Sequence, residues 1–218
     1  MKRIAKSIII IVTFLLVGSL FASNMQEIYS KIEDASKRMT PQFYKVRIEN
    51  ESFNEALNEL PEEIRTGKED PAVMVYFKKG EGVRIVIENI QSEYASLFSM
   101  YEEYLKFSGI SNVQNPIEFK EIIDKGKVQF YQEDKKNIII KAWDPEKEVK
   151  DDDYALFTLN KSKWVIEKAL YYLDGNPYVQ AENKYKNFGK YYLPYEIELV
   201  NLIDNSIEVF RFVDYQFK

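Results

Sequence analysis

Carboxylates are the reactive groups this chain has in quantity: 35 Asp and Glu stand beside no histidine and no cysteine. Without imidazole it lacks the side chain most used for acid–base work near neutral pH, which is also the commonest metal ligand. Without thiol it has no Cys nucleophile and no zinc site of the usual N/S type, and a Ser-His-Asp arrangement is equally out of reach. What remains is glycosidase-like chemistry, with two acids facing each other across a cleft. A pair of acids somewhere among 35 carries no information by itself. The sequence therefore reads as non-enzymatic, with no catalytic residues, no metal and no cofactor. The run Lys150-Asp151-Asp152-Asp153 offers oxygen ligands but has neither the spacing nor the glycine of a calcium loop, so it reads as a solvated loop. Gly80-Glu81-Gly82 is a hairpin turn, because no phosphate-cradling pattern accompanies it.

The N-terminus sets the compartment. Lys2, Arg3 and Lys6 precede an apolar run from Ile8 to Val17, and small residues follow at Gly18, Ser19, Ala22 and Ser23. That order predicts a signal peptide over 1–23, cleaved after Ala22 or Ser23, and a periplasmic single domain over 24–218. The apolar run is about half of what a membrane-spanning helix needs. Lacking cysteine, the exported chain cannot be lipid-modified at a cleavage-site Cys and cannot use disulfides, so it must rely on a hydrophobic core. Removing the leader's three basic residues leaves 27 basic against 35 acidic side chains, a net charge of −8. So acidic a domain is a poor partner for nucleic acid or for an anionic bilayer surface.

The elements that would position any site follow from periodicity. Met25, Ile28, Ile32, Ala35 and Met39 recur at helical spacing, predicting an amphipathic helix over 24–39 that is capped by Asn24 and stopped by Pro41. Tyr44, Val46 and Ile48 alternate with charged residues as a half-buried strand, and 50–70 reads as a polar, acidic loop with room for a short helical turn. A hairpin over 72–88 comes next. Residues 92–107 switch to helical spacing with a broad aromatic face, and Pro116–Ile123 predicts a short helix. From Lys127 onward strands alternate with short turns, which forces antiparallel neighbours. The fold class is α+β: about ten strands in one strongly curved antiparallel sheet, a half-barrel, with helices over its concave face.

Alternation places Val46 and Ile48, Val75 and Phe77, Ile85 and Ile87, Ile138 and Ile140, and Ile197 and Leu199 each on one strand face. These are expected to point inward with Leu97, Phe98, Tyr101 and Leu105 of the 92–107 segment, which would act as a lid, and with the 24–39 helix packed at one end. The same residues suit either a filled core or an apolar cavity.

The last 60 or so residues carry a resemblance. Leu159-Asn160-Lys161, Val165-Ile166-Glu167-Lys168, Asp174-Gly175-Asn176, Tyr185-Lys186-Asn187-Phe188-Gly189-Lys190, Leu193-Pro194-Tyr195-Glu196-Ile197 and Val213-Asp214-Tyr215 punctuate the strands. This pattern, with the order of elements before it, resembles the LolA-like periplasmic lipoprotein carriers that sort lipoproteins to the outer membrane. The resemblance implies a hydrophobic cavity, lined by the inward residues above, that holds acyl chains of lipoproteins or lipids. It also implies membrane-bound donor and acceptor proteins, a monomeric carrier and a ligand-gating arginine, for which Arg47 and Arg84 are the candidates. Two other readings stand beside it. One is an exported binding or sensory module of the same fold that recognises a protein partner, and the other is a carboxylate-based hydrolase.

Overall fold

Strict alternation builds most of the sheet. In strand β1 (Phe43–Glu49) Tyr44, Val46 and Ile48 are buried while Lys45, Arg47 and Glu49 are half-exposed, the signature of a strand with one covered face. The structure is a computed structural model and describes residues 25–99, 116–144, 146 and 148–218, with the side chains of 117 and 118 excepted. Strands β2 (Ala72–Lys78) and β3 (Gly82–Glu88) form the expected hairpin. They are followed by β4 (Val128–Glu133), β5 (Asn137–Ala142), β6 (Tyr154–Asn160), β7 (Ile166–Leu173), β8 (Asn176–Phe188), β9 (Tyr191–Asn201) and β10 (Ile207–Phe217). All ten pair antiparallel in one sheet of order β3-β2-β1-β10-β9-β8-β7-β6-β5-β4. The sheet is open. Its edges are β3 and β4.

Five strand pairs slip register, and each slip inserts an extra residue into one strand: Tyr131 in β4, Glu167 in β7, Tyr178 in β8, Tyr195 in β9, and Asp214 with Tyr215 opposite Val46 in β10. Bulges bend a strand and increase its twist, so this sheet curls strongly along its length. Asp214 takes a left-handed φ of 58° to make its bulge, and its carboxylate receives two hydrogen bonds from Arg47, from Nε at 3.1 Å and Nη2 at 2.8 Å.

Three helices accompany the sheet among the described residues. Helix α1 covers 25–39, and its stripe of Met25, Ile28, Ile32 and Ala35 is buried. Met25, Ile28 and Ile32 join the same core as the covered strand face. Helix α2 (Glu51–Asn58) replaces the start of the expected loop. Asn50 caps it by accepting from the Phe53 N–H at 3.1 Å, and Phe53 is driven into the core, in edge contact with Phe98 and Phe210. Helix α3 (Pro116–Asp124) falls where the proline-initiated segment was expected and seats Phe119 in the core. The lid segment differs from expectation. Ser92–Tyr94 is a single 3-10 turn and 95–98 are further turns, because the Ile87 N–H of edge strand β3 takes the Ala95 carbonyl at 2.9 Å and pins the chain across the strand end.

Candidate functional site: the covered face of the sheet

The covered face is apolar almost without interruption. Val46, Ile48, Val75, Phe77, Ile85, Ile87, Ile138, Ile140, Ile197 and Leu199 all lie on it, each no more than 6% exposed and all within one contiguous core. Their strand parity survives because every bulge falls outside the segments that carry them. Of the four lid residues, Phe98 is buried against Phe53, whereas Leu97 is 45% exposed and turns away from the face. Leu97 therefore does not line it: the turn conformation of 95–98 replaces the helical face that would have placed Leu97 and Phe98 together. Tyr101 and Leu105 lie outside the described residues. The two arginine candidates sit on the opposite face. Arg47 pairs with Asp214 and Glu49, and the Arg84 guanidinium lies 5.4 Å from the Tyr76 ring centre.

Small and large side chains interleave across the face. Ala142 pairs with Ala155 and Ala169 with Ala181, all four buried, and aromatic groups flank them at Phe157 and Tyr171. Toward the turn end of β8 and β9 the face becomes tyrosine-rich. The Tyr185 hydroxyl and the Asn183 Nδ2 both donate to the Ile166 carbonyl at 2.8 Å, beside the β7 bulge, and the Tyr215 hydroxyl donates to the Pro194 carbonyl at 2.6 Å beside the β9 bulge. The hydroxyls satisfy carbonyls that the irregular ladder leaves over. Burial drives the phenols of Tyr171, Tyr185 and Tyr215 well above the ordinary tyrosine range, so all three stay neutral donors at physiological pH.

Among the described residues the buried polar side chains are Ser36, Thr40, Asn50 and Asn183, and no carboxylate or amine is among them. No group of acids among those residues converges to hold a metal ion. On the strands, the ion pairs of Lys45 with Glu88 and of Arg47 with Asp214 and Glu49 lie on the other face. Lys45 donates to Glu88 at 2.6 Å and Tyr76 donates to the same carboxylate; these bonds hold Glu88 below the usual glutamate value, although burial pushes it the other way. A small cleft between α1 and the β7–β9 region, lined by Ser36, Met39, Thr40, Trp164, Tyr185 and Tyr192, has about 10 Å³ of free volume, room for one water molecule. The arrangement can shield apolar matter.

Sequence reasoning missed Phe53, Phe157, Tyr171, Tyr185, Tyr215 and the alanine pairs. Asn50 followed by Glu51 and Phe53 was a legible helix start. The tyrosines were not legible, since each sits at or near a bulge that breaks the alternation.

No protein-family model matches this sequence, and no curated protein matches it. Solved structures do. A protein domain from Vibrio parahaemolyticus assigned as outer membrane lipoprotein-sorting aligns at a TM-score of 0.51 with 10% identity, covering 87% of this chain and 92% of its own. A DUF1329 family protein from Desulfovibrio piger aligns at 0.51 with 9% identity over 88% and 92%. A LolA superfamily protein from Nitrosomonas europaea follows at 0.48 with 14% identity. The chain has the fold of a lipoprotein-sorting domain: an open, curved antiparallel sheet with helices on its covered face. Among the described residues no helix is long and apolar enough to cross a membrane.

Proposed function

We propose that this protein is an exported, non-catalytic carrier that shelters acyl chains of lipoproteins or lipids against the covered face of its sheet and passes them toward the outer membrane. The observation that carries this reading is the open sheet whose covered face is apolar almost without interruption. A closed barrel would need to break hydrogen bonds to admit a chain, whereas an open sheet needs only its cover to move. Each buried CH₂ contributes about 0.8 kcal/mol, so a dozen methylenes supply roughly 10 kcal/mol, enough to offset displacement of packed side chains. The covering side chains, Phe98 of the lid segment and Phe53 of α2, touch each other edge to face at 5.1 Å and would have to part together. Transfer would then run on differential affinity between this carrier and its acceptor, without nucleotide.

Native mass spectrometry of the protein purified from its own host tests this reading. Co-purified lipid or acylated protein is the expected result. A second arm uses a fluorescent fatty acid with wild type and with Ala169→Leu, which adds bulk to the alanine-paired centre of the face. Binding by wild type and its loss in the variant support the carrier. No lipid after gentle extraction and no fatty-acid binding would sink it and leave the protein-binding module.

A further inference from the structure

The two ends of the sheet differ in charge far more than the composition suggests. Because all strands are antiparallel, alternate connections gather at the same end. One end collects the β2–β3, β4–β5, β6–β7 and β8–β9 turns and the C-terminal end of β10, and it carries Lys79, Lys135, Lys136, Lys161, Lys163 and Lys190, with Lys218 beyond β10, against Glu81 and Asp134 in the turns and Glu133 at the end of β4, which pairs with Lys161 at 2.7 Å. The other end collects the β1–β2 connection, the β5–β6 loop and the β7–β8 and β9–β10 turns, where acids predominate: Asp144, Asp151, Asp152, Asp153, Asp174 and Asp204 among them. A chain that is acidic overall is therefore basic at one end.

That basic end is also aromatic, and the two features interleave. Lys163 lies 5.0 Å from the Tyr192 ring centre, Lys186 lies 5.0 Å from Phe188 and 5.1 Å from Tyr195, Lys190 lies 5.1 Å from Tyr191, and Lys218 lies 5.6 Å from Phe43. The rings join across strands, with Tyr191 against Phe217 at 5.1 Å and Phe217 stacked on Tyr215 at 5.8 Å. Among the described residues none of Lys163, Lys186, Lys190 and Lys218 forms an ion pair with a carboxylate side chain. We propose that this end of the sheet docks on the surface of an anionic lipid bilayer, with the lysine ammoniums at the headgroup phosphates and the half-buried rings at headgroup depth. Lysines with apolar stems beside amphipathic rings suit a layer that is wet on one side and apolar on the other, which a purely polar acidic protein face is not. The acidic end is held outward by repulsion from the same surface. The docking is independent of whether the covered face holds cargo.

The exported protein is titrated with vesicles of phosphatidylcholine alone and with 30% phosphatidylglycerol, chosen as an order-of-magnitude physiological anionic content. Binding is expected only to the anionic vesicles and is expected to weaken with salt. The triple variant Lys163→Glu, Lys186→Glu, Lys190→Glu should lose at least about tenfold in affinity. A control with the same change in net charge at the other end, Arg65→Glu, Lys125→Glu, Lys150→Glu, should lose far less. The two tryptophans supply a readout that needs no charge variant, since Trp143 lies in the β5–β6 loop and Trp164 in the β6–β7 turn, at opposite ends. With brominated lipid, Trp143→Phe should leave a quenched Trp164, and Trp164→Phe an unquenched Trp143. Equal loss in the two triple variants, equal quenching, or no binding to anionic vesicles would overturn the proposal, the last leaving an acidic protein as the occupant of this end.

Discussion

Ile140→Ala asks whether the covered face is packed or hollow. Ile140 is 0% exposed at the middle of β5, opposite Phe130 on β4 and Phe157 on β6. The substitution removes three carbon groups, about 2.4 kcal/mol of transfer free energy at roughly 0.8 kcal/mol each. If the two flanking rings cannot close the gap, a void of roughly 75 Å³ adds about 1.8 kcal/mol at 24 cal/mol per Å³. The expected loss is therefore about 2.5 to 4 kcal/mol. Urea unfolding followed by tryptophan fluorescence reads this as a midpoint shift of roughly 1–2 M at unchanged slope, given about 2 kcal/mol per M. A loss below about 1 kcal/mol would refute the reasoning, because it would mean that Ile140 has few packing partners to forfeit. Leu97→Ala is the internal control: at 45% exposure it should change stability by no more than about 0.5 kcal/mol.

Asn50→Ala should cost about 1–3 kcal/mol in the same assay, since Asn50 caps α2 and its Nδ2 also donates to Glu208 at 2.7 Å; a loss under about 0.5 kcal/mol would mean that α2 is not anchored there. Asn50→Asp should recover little of that loss, because it keeps the cap but sets a second carboxylate against Glu208. Stability should fall on acidification. Hydrogen bonds from Lys184 and Arg211 hold Glu196 below the ordinary glutamate value near 4.5, so its contribution is present above that value and is lost as pH falls through the lower folded one. Glu196→Gln should flatten the thermal-melt profile below pH of about 4.5, and an unchanged acid slope would exclude this pair as a contributor.

Much of the architecture was legible because it depends on local spacing. Period-2 alternation and short turns are properties of consecutive residues, and they suffice for an antiparallel meander with one apolar face. Val46, Phe77, Ile85 and Ile140 are buried for that reason alone. Long-range relations decided the rest. The β1–β10 pairing, Tyr44 opposite Phe217, joins residues from the two ends of the chain and opens the sheet between β3 and β4, and no local pattern announces it. Bulges at Tyr131, Tyr178 and Tyr195 shift the register of every residue beyond them, so the tyrosines that line the far end of the face followed no readable period. Residues 92–99 carry helical spacing, yet a backbone hydrogen bond from the β3 edge holds them in turns, because tertiary pairing outweighs a propensity of a few tenths of a kcal/mol per residue. Charge behaves in the same way. Composition fixes a net value, but only the antiparallel stacking of turns sorts lysines to one end and acids to the other.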